Sequence, residues 1–230
     1  MALILHLETA SPVCSVALSR DGVLLGLRES SGEKSHATRL TLFIEELLKA
    51  NGLTVSSLDA ISLGMGPGSY TGLRIGTSVG KGLGYGAGLP LIGIPTLLAL
   101  AAGFLWLHPE TEGLLCPMLD ARRMEVYTAL FGSGLREISP VEAKILNEES
   151  FREVLEAGLV WFFGSGSLKA GELIQHPNAR FGGAFPLSAA FQTRLAETAW
   201  TRKDFLDTAY FEPHYLKEFI ATVPRNKMLG

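Results

Sequence analysis

Glycine recurs at every fourth position from Gly72 through Gly76, Gly80 and Gly84 to Gly88, directly after the loop Gly64-Met65-Gly66-Pro67-Gly68-Ser69-Tyr70-Thr71. No other stretch of the chain is so constrained. A glycine inside a helix costs about 1 kcal/mol relative to alanine, so a helix holding four of them must recover that loss by letting something approach its backbone. At 100° per residue, Gly72, Gly76, Gly80 and Gly84 form one band, and Ile75, Val79 and Leu83 form an apolar stripe beside it. Arg74, Thr77, Ser78 and Lys81 fall on the far side. The pattern predicts a stripe that enters a core and a bare band that admits a second helix, from the same chain or from another subunit. A membrane-spanning glycine dimer is excluded, because Arg74 and Lys81 interrupt the run and no apolar stretch of about 20 residues surrounds it.

Around this segment the chain reads as two similar halves. Strands are predicted at residues 3–8, 13–18 and 23–29, with Ser19-Arg20-Asp21-Gly22 as a hairpin turn. A helix capped by Ser35 follows and stops at Asn51-Gly52, with Leu40, Phe43, Ile44, Leu47 and Leu48 on one face. A strand at 60–64, the glycine helix, a strand at 89–94 and a helix from Thr96 to about Leu107 complete the first half. The pattern then restarts with strands at 114–119, 124–131 and 135–139. A helix near 148–157, a strand at 159–163 and helices near 167–175 and 188–200 come next, with an irregular tail from Phe211. Three antiparallel strands followed by α/β units describe a ribonuclease-H-like lobe. Two such lobes, at residues 1–107 and 108–230, make the α/β actin-like, Hsp70-like or sugar-kinase-like architecture, and the last helix is a candidate to pack back on the first lobe.

With 230 residues and 47% hydrophobic content, the chain is long enough for a sizeable core. Its net charge of −3 argues against strong nucleic-acid binding by this chain alone. Cys14 and Cys116 sit in apolar strand-like runs without a neighbouring ligand and are expected as buried free thiols. The start, Met1-Ala2-Leu3-Ile4-Leu5-His6-Leu7, lacks a basic region and reads as a strand rather than a signal peptide, so a cytoplasmic location is the expectation.

Few chemistries survive a reading of the motifs. Gly66-Pro67-Gly68-Ser69 lies between a strand and a helix, where free amides attract an anion; a structural tight turn is the competing reading. The Walker spacing fails around Gly80-Lys81, which has Ile75 for its first glycine and Gly82 for its magnesium-binding hydroxyl. Glu8 and Asp120 each end the first strand of a half, where a two-lobed ATPase holds carboxylates for magnesium; hydrogen bonding at a strand end is the alternative. His6, His36, His108, His176 and His214 include no pair at helical spacing and no nearby cysteine, so no local metal site is predicted. No serine-hydrolase elbow occurs around Ser69, Ser165 or Ser167.

The segment Gly64-Met65-Gly66-Pro67-Gly68-Ser69-Tyr70-Thr71-Gly72-Leu73-Arg74-Ile75-Gly76 closely resembles the bacterial TsaB (YeaZ) family, non-catalytic relatives of the TsaD glycoprotease-like proteins. The resemblance extends through Leu5-His6-Leu7-Glu8-Thr9-Ala10, Ser35-His36, Pro90-Leu91-Ile92-Gly93-Ile94-Pro95-Thr96, Asp120-Ala121-Arg122-Arg123 and Pro213-His214-Tyr215-Leu216-Lys217. It implies a scaffold subunit, without a catalytic site of its own, in the complex that makes threonylcarbamoyladenosine at position 37 of tRNAs reading codons that begin with adenine. The implied partners are TsaD as heterodimer partner, TsaE, tRNA through the assembled complex, and a second copy of the chain when TsaD is absent. The His-x-x-x-His metal pair of TsaD is missing here, and the family usually has aspartate in place of Glu8. Candidate interface residues are Gly72, Gly76, Gly80, Gly84, Lys81 and His36. Candidate nucleotide or phosphate contacts are Gly66, Gly68, Ser69, Glu8 and Asp120, with ATP or ADP at the boundary with TsaD and no intrinsic cofactor or metal. An actin-like ATPase or small-molecule kinase, and a glycoprotease-like peptidase, are the alternatives.

Overall fold

The structure, a computed structural model, describes residues 2–31 and 35–216, without the side chains of Ser31 and Ser35. The expected capping by Ser35, the motif's Lys217 and the tail beyond it therefore lie outside the described residues. The first sheet contains β1 (Leu3–Glu8), β2 (Val13–Arg20), β3 (Val23–Ser31), β4 (Ala60–Gly64) and β5 (Leu91–Ile94), in the order β3-β2-β1-β4-β5. Its first three strands form an antiparallel meander, and β4 and β5 join in parallel. The second sheet repeats this plan with β6 (Leu114–Asp120), β7 (Glu125–Phe131), β8 (Glu137–Ile145), β9 (Val160–Phe163) and β10 (Ala179–Gly183), in the order β8-β7-β6-β9-β10. The chain is thus an α/β protein of two ribonuclease-H-like lobes in the actin-like, Hsp70-like and sugar-kinase-like architecture.

The helices are α1 (Ser35–Ala50), α2 (Tyr70–Ala87), α3 (Thr96–Leu107), α4 (Arg152–Ala157), α5 (Ser167–Leu173) and α6 (Thr193–Arg202). Alternation along β1 assigns them to layers, because successive side chains of a strand point to opposite faces. Leu3, Leu5 and Leu7 pack with Leu40, Ile44, Leu47 and Leu48 of α1. Ala2 and Ile4 instead join Leu97, Leu100 and Phe104 of α3, Ala196 of α6, and Leu115 and Phe163 of the second sheet. A third cluster joins the far face of that sheet, through Cys116, Met118 and Phe162, to Leu155 of α4 and Ala170 of α5. Burial on both faces explains why all of β1 is buried, with His6 and Glu8 as its polar members.

The chain after β10 returns to the first lobe. A 3-10 turn at Ala189–Gln192 leads into α6, where one helix over 188–200 was expected, and the Leu206 amide donates to the Leu91 carbonyl at 2.8 Å. Strand β10 was not foreseen: Ala179-Arg180-Phe181-Gly182-Gly183 has weak strand propensity and forms only by adding to the edge at β9. Cys14 and Cys116 are buried free thiols, as expected.

Helix α2 changes the reading of the glycine band. Ser69 caps its start by accepting from the Gly72 amide at 3.2 Å, and Gly88 ends it with φ 68°. A Cβ at Gly72 would fall on the Thr9 carbonyl oxygen, one at Gly76 on Thr9 Oγ1, and one at Gly80 on the Leu63 side chain. At Gly84 it would stand 2.9 Å from Leu91 Cδ2. The band is therefore the sheet-facing side of α2, and its close neighbour is the chain itself. The expectation that Gly72, Gly76, Gly80 and Gly84 lie bare for another subunit is corrected. Angular periodicity separates the stripes but does not say which one meets the sheet. Ile75, Val79 and Leu83 are only half-buried beside α1, and Thr77, assigned to the far side, is buried.

Candidate functional site

The loop between β4 and α2 is closed by its own chain. The Gly66 amide donates to Thr96 Oγ1 at 3.0 Å, the Ser69 amide to the Ala10 carbonyl at 2.7 Å, and the Gly72 amide to Ser69 Oγ at 3.2 Å. The His214 amide donates to the Met65 carbonyl at 2.7 Å, and the His214 carbonyl oxygen lies 2.6 Å from where a Cβ of Gly66 would stand. Gly66 has φ 98°, a conformation that favours glycine, and a Cβ at Gly68 would meet the Ala10 carbonyl oxygen. The Gly66, Ser69 and Gly72 amides are thus spent inside the fold, which favours, of the two readings of Gly66, Gly68 and Ser69, the tight turn pinned from two sides over the anion cradle.

Glu8 is fully buried at the end of β1. Its Oε1 accepts from the Ala10 amide at 2.8 Å and its Oε2 from Gln192 Nε2 at 3.0 Å. The same Gln192 nitrogen donates to the Leu7 carbonyl at 3.2 Å. Ser62 Oγ donates to Gln192 Oε1 at 2.6 Å and hence accepts from Nδ1 of His6 at 2.7 Å. Nε2 of His6 then accepts from Ser19 Oγ at 2.7 Å. The donor order fixes a neutral His6 with its proton on Nδ1. Burial raises the Glu8 pKa to about 7, against the opposing pull of the Ala10 amide, Gln192 and the Thr9 amide, and it lowers that of His6 to about 3. Gly64 is glycine for the same reason, since a Cβ would stand 2.5 Å from Glu8 Oε2. Of the two readings of Glu8, magnesium ligand or strand-end hydrogen bonding, the structure shows the second: the side chain is one end of a sealed polar chain that crosses from β2 to the turn before α6.

Asp120, its counterpart in the second lobe, is half-exposed and also engaged. Lys169 Nζ lies 2.8 Å from its Oδ1, and the Arg122 amide donates to the same oxygen at 2.6 Å. Its own amide donates to Ser165 Oγ at 3.0 Å. Asp120 therefore ties β6 to α5 and to the β6–β7 turn. Among the described residues, no group of three or more histidine, cysteine, aspartate or glutamate side chains is placed to hold a metal ion, and no helix is long and apolar enough to cross a membrane.

Of two further expected interface residues, His36 faces inward and Lys81 is half-exposed. His36 is buried, and its Nε2 lies 2.8 Å from the Ser11 carbonyl, so it braces the turn after β1. Lys81 donates to the Ala209 carbonyl at 3.3 Å and sits 5.9 Å from the Phe211 ring centre, which ties α2 to the returning segment. The surface that α1 and α2 do expose is adjacent. An apolar groove of about 580 Å³ runs between them, lined by Ile44, Leu48, Leu53, Val79 and Leu83, with Glu45 and Lys49 at its edge. Beyond it Arg74, Ser78 and Gly82 are exposed, and Tyr85 is 88% exposed. Gly82 and Gly86 have open space where a Cβ would point. The sequence signal for this face was present, as the side of α2 opposite the regular glycines.

A family model described as TsaD, tRNA N6-adenosine threonylcarbamoyltransferase, matches residues 28–154. The Haemophilus influenzae tRNA threonylcarbamoyladenosine biosynthesis protein TsaB is 29% identical over 223 residues, covering 93% of each chain. The Escherichia coli TsaB is 38% identical over 126 residues, which are 55% of this chain and 53% of that one. Among solved structures, YeaZ from Pseudomonas aeruginosa superposes with a TM-score of 0.81 at 28% identity, covering 94% of this chain and all of that one. A Pseudomonas aeruginosa protein described as similar to peptidase YEAZ gives a TM-score of 0.83 at 27% identity, with the same coverage.

Proposed function

We propose that this chain, which belongs to the TsaB (YeaZ) family of tRNA threonylcarbamoyladenosine biosynthesis, is the non-catalytic scaffold subunit that pairs with TsaD. The observation that carries this reading is the α1–α2 face. It offers an apolar groove about 580 Å³ in volume, flanked by an exposed tyrosine and by glycines with nothing above them. A partner helix laid against Ser78, Gly82 and Tyr85 buries that groove, whereas the regular glycine band holds the helix to its own sheet. The groups a two-lobed ATPase would use support a scaffold as well: Glu8 is sealed by Gln192, and Asp120 is paired with Lys169. These engagements favour a scaffold over the kinase and peptidase alternatives.

In this reading TsaD supplies the transfer chemistry on tRNAs that read codons beginning with adenine, and TsaE and tRNA meet the assembled complex. A nucleotide, ATP or ADP, is placed by this reading at the boundary with TsaD. Without TsaD the same face pairs with a second copy of the chain. The compartment is the cytoplasm, where tRNA is modified. Co-expression with the cognate TsaD followed by gel filtration tests the reading. A one-to-one complex that transfers threonylcarbamoyl to tRNA, with neither subunit active alone, is expected, and transfer or ATP turnover by the isolated chain refutes it.

A further inference from the structure

A second cavity, of about 810 Å³, opens on the α3–α6 side of the first sheet, away from the α1–α2 face. Both lobes build it. The β2–β3 turn contributes Asp21 to Leu24, the β7–β8 turn contributes Ser133 to Leu135, and α3 and α6 close the sides. Its volume is that of a cleft for a small organic ligand, and such clefts favour junctions between lobes. Nothing in the scaffold role uses it.

Its walls specify the chemistry of an occupant. Trp106 lines it while 45% exposed, and Phe191 meets Trp106 edge-on with ring centres 6.3 Å apart. Leu105, Leu135 and Leu195 complete an apolar bed. One carboxylate faces this bed with too few partners. Glu197 is partly buried, its Oε2 is sealed from solvent, and no donor reaches that oxygen among the described residues. Arg194, one turn earlier on α6, is exposed and leaves that oxygen unserved. Asp21, the other acid at the rim, accepts from the Ala2 amide at 2.8 Å. Leu105 and Trp106 belong to the last turn of α3, whose carbonyl end carries partial negative charge. An under-served carboxylate, a helix C-terminus and aromatic walls all favour a cation attached to a flat apolar group.

We propose that this cleft binds a small amphipathic molecule carrying a protonated amine on a flat, apolar body, with the amine at Glu197 and the body against Trp106 and Phe191. The site is independent of pairing through α1 and α2. The probes are tryptamine and its charge-reversed counterpart indole-3-propionate, each titrated calorimetrically into the full chain. Tryptamine is expected to bind in the submillimolar range and to raise the melting temperature, with indole-3-propionate at least about tenfold weaker. Glu197→Gln should keep its own melting temperature and lose that roughly tenfold preference, and Trp106→Ala should weaken both probes. Should Trp106→Ala fail to fold, the Glu197→Gln comparison decides alone. Absence of tryptamine binding at millimolar concentration, equal binding of the two probes, or a preference that survives Glu197→Gln overturns the proposal.

Discussion

Replacing Glu8 by glutamine should change how stability depends on pH. In the native chain the Glu8 carboxyl has its pKa raised from 4.5 to about 7 by burial, so the folded state holds its proton more tightly than the unfolded one. Its stabilising contribution is complete below pH 4.5, declines as pH rises, and is gone above 7. A tenfold difference in proton affinity is worth about 1.4 kcal/mol, so the loss across this range is about 3 kcal/mol. His6 acts in the opposite sense, because its pKa is lowered from 6.5 to about 3 and its contribution is lost as pH falls. Between pH 4.5 and 6.5 the two slopes are equal and opposite, so this pair leaves the native chain on a plateau. Glu8→Gln removes one slope and leaves the other. The variant also sets an amide nitrogen against one of the two donors that Glu8 meets, the Ala10 amide or Gln192, at a cost of about 1–3 kcal/mol that shifts the whole comparison. The readout is therefore the difference in melting temperature between variant and native chain, followed from about pH 4.5 to 8. It should move in favour of the variant by on the order of 10 °C, at about 2–4 °C per kcal/mol for a chain of this size. A difference that stays constant across this range would show that Glu8 titrates as an ordinary carboxylate, and the sealed-chain account would fail.

The glycines of α2 give a paired test by circular-dichroism melting. Gly76→Ala drives a Cβ into Thr9 Oγ1 and should destabilise by about 1–3 kcal/mol despite its better helix propensity, whereas Gly82→Ala meets open space and should gain about 1 kcal/mol. Equal effects would contradict the inward orientation of the band. Asp120→Asn weakens a half-exposed pair with Lys169 and should cost less than about 1 kcal/mol, with no change in tRNA modification by the assembled complex. A large loss of modification in that variant would return Asp120 to the chemistry.

The twofold plan of the molecule was legible because each half repeats a local pattern. Leu5-His6-Leu7-Glu8-Thr9 and Met118-Leu119-Asp120-Ala121 both run from an apolar strand to an acid and a turn, and both open the same five-stranded order. Their different fates were not legible. Glu8 is sealed by Gln192, which lies 184 residues away in sequence, whereas Asp120 stays half-exposed and pairs with Lys169, which lies 49 away. The glycine period fixed a helix and a close approach. The identity of what approaches depends on Thr9, Leu63 and Leu91, three strand or turn residues that only the folded sheet brings to α2. The same limit hid β10, whose short glycine-rich segment owes its strand conformation to its neighbour β9. The exposed side of α2 was legible as the side opposite the regular glycines, but the groove beside it was not, because Leu48 and Leu53 reach Val79 and Leu83 only once α1 packs on α2.

The central claim is that this chain contributes a surface rather than a reaction, and it is tested by gel filtration of the chain with its cognate TsaD, using the native protein beside a Ser78→Glu, Tyr85→Ala double variant. Both positions are exposed, so the variant should melt within about 1 °C of the native chain. The native chain should elute with TsaD as a one-to-one complex, and the variant should elute alone. A variant that still assembles fully, or a native chain that never binds TsaD, would contradict the account.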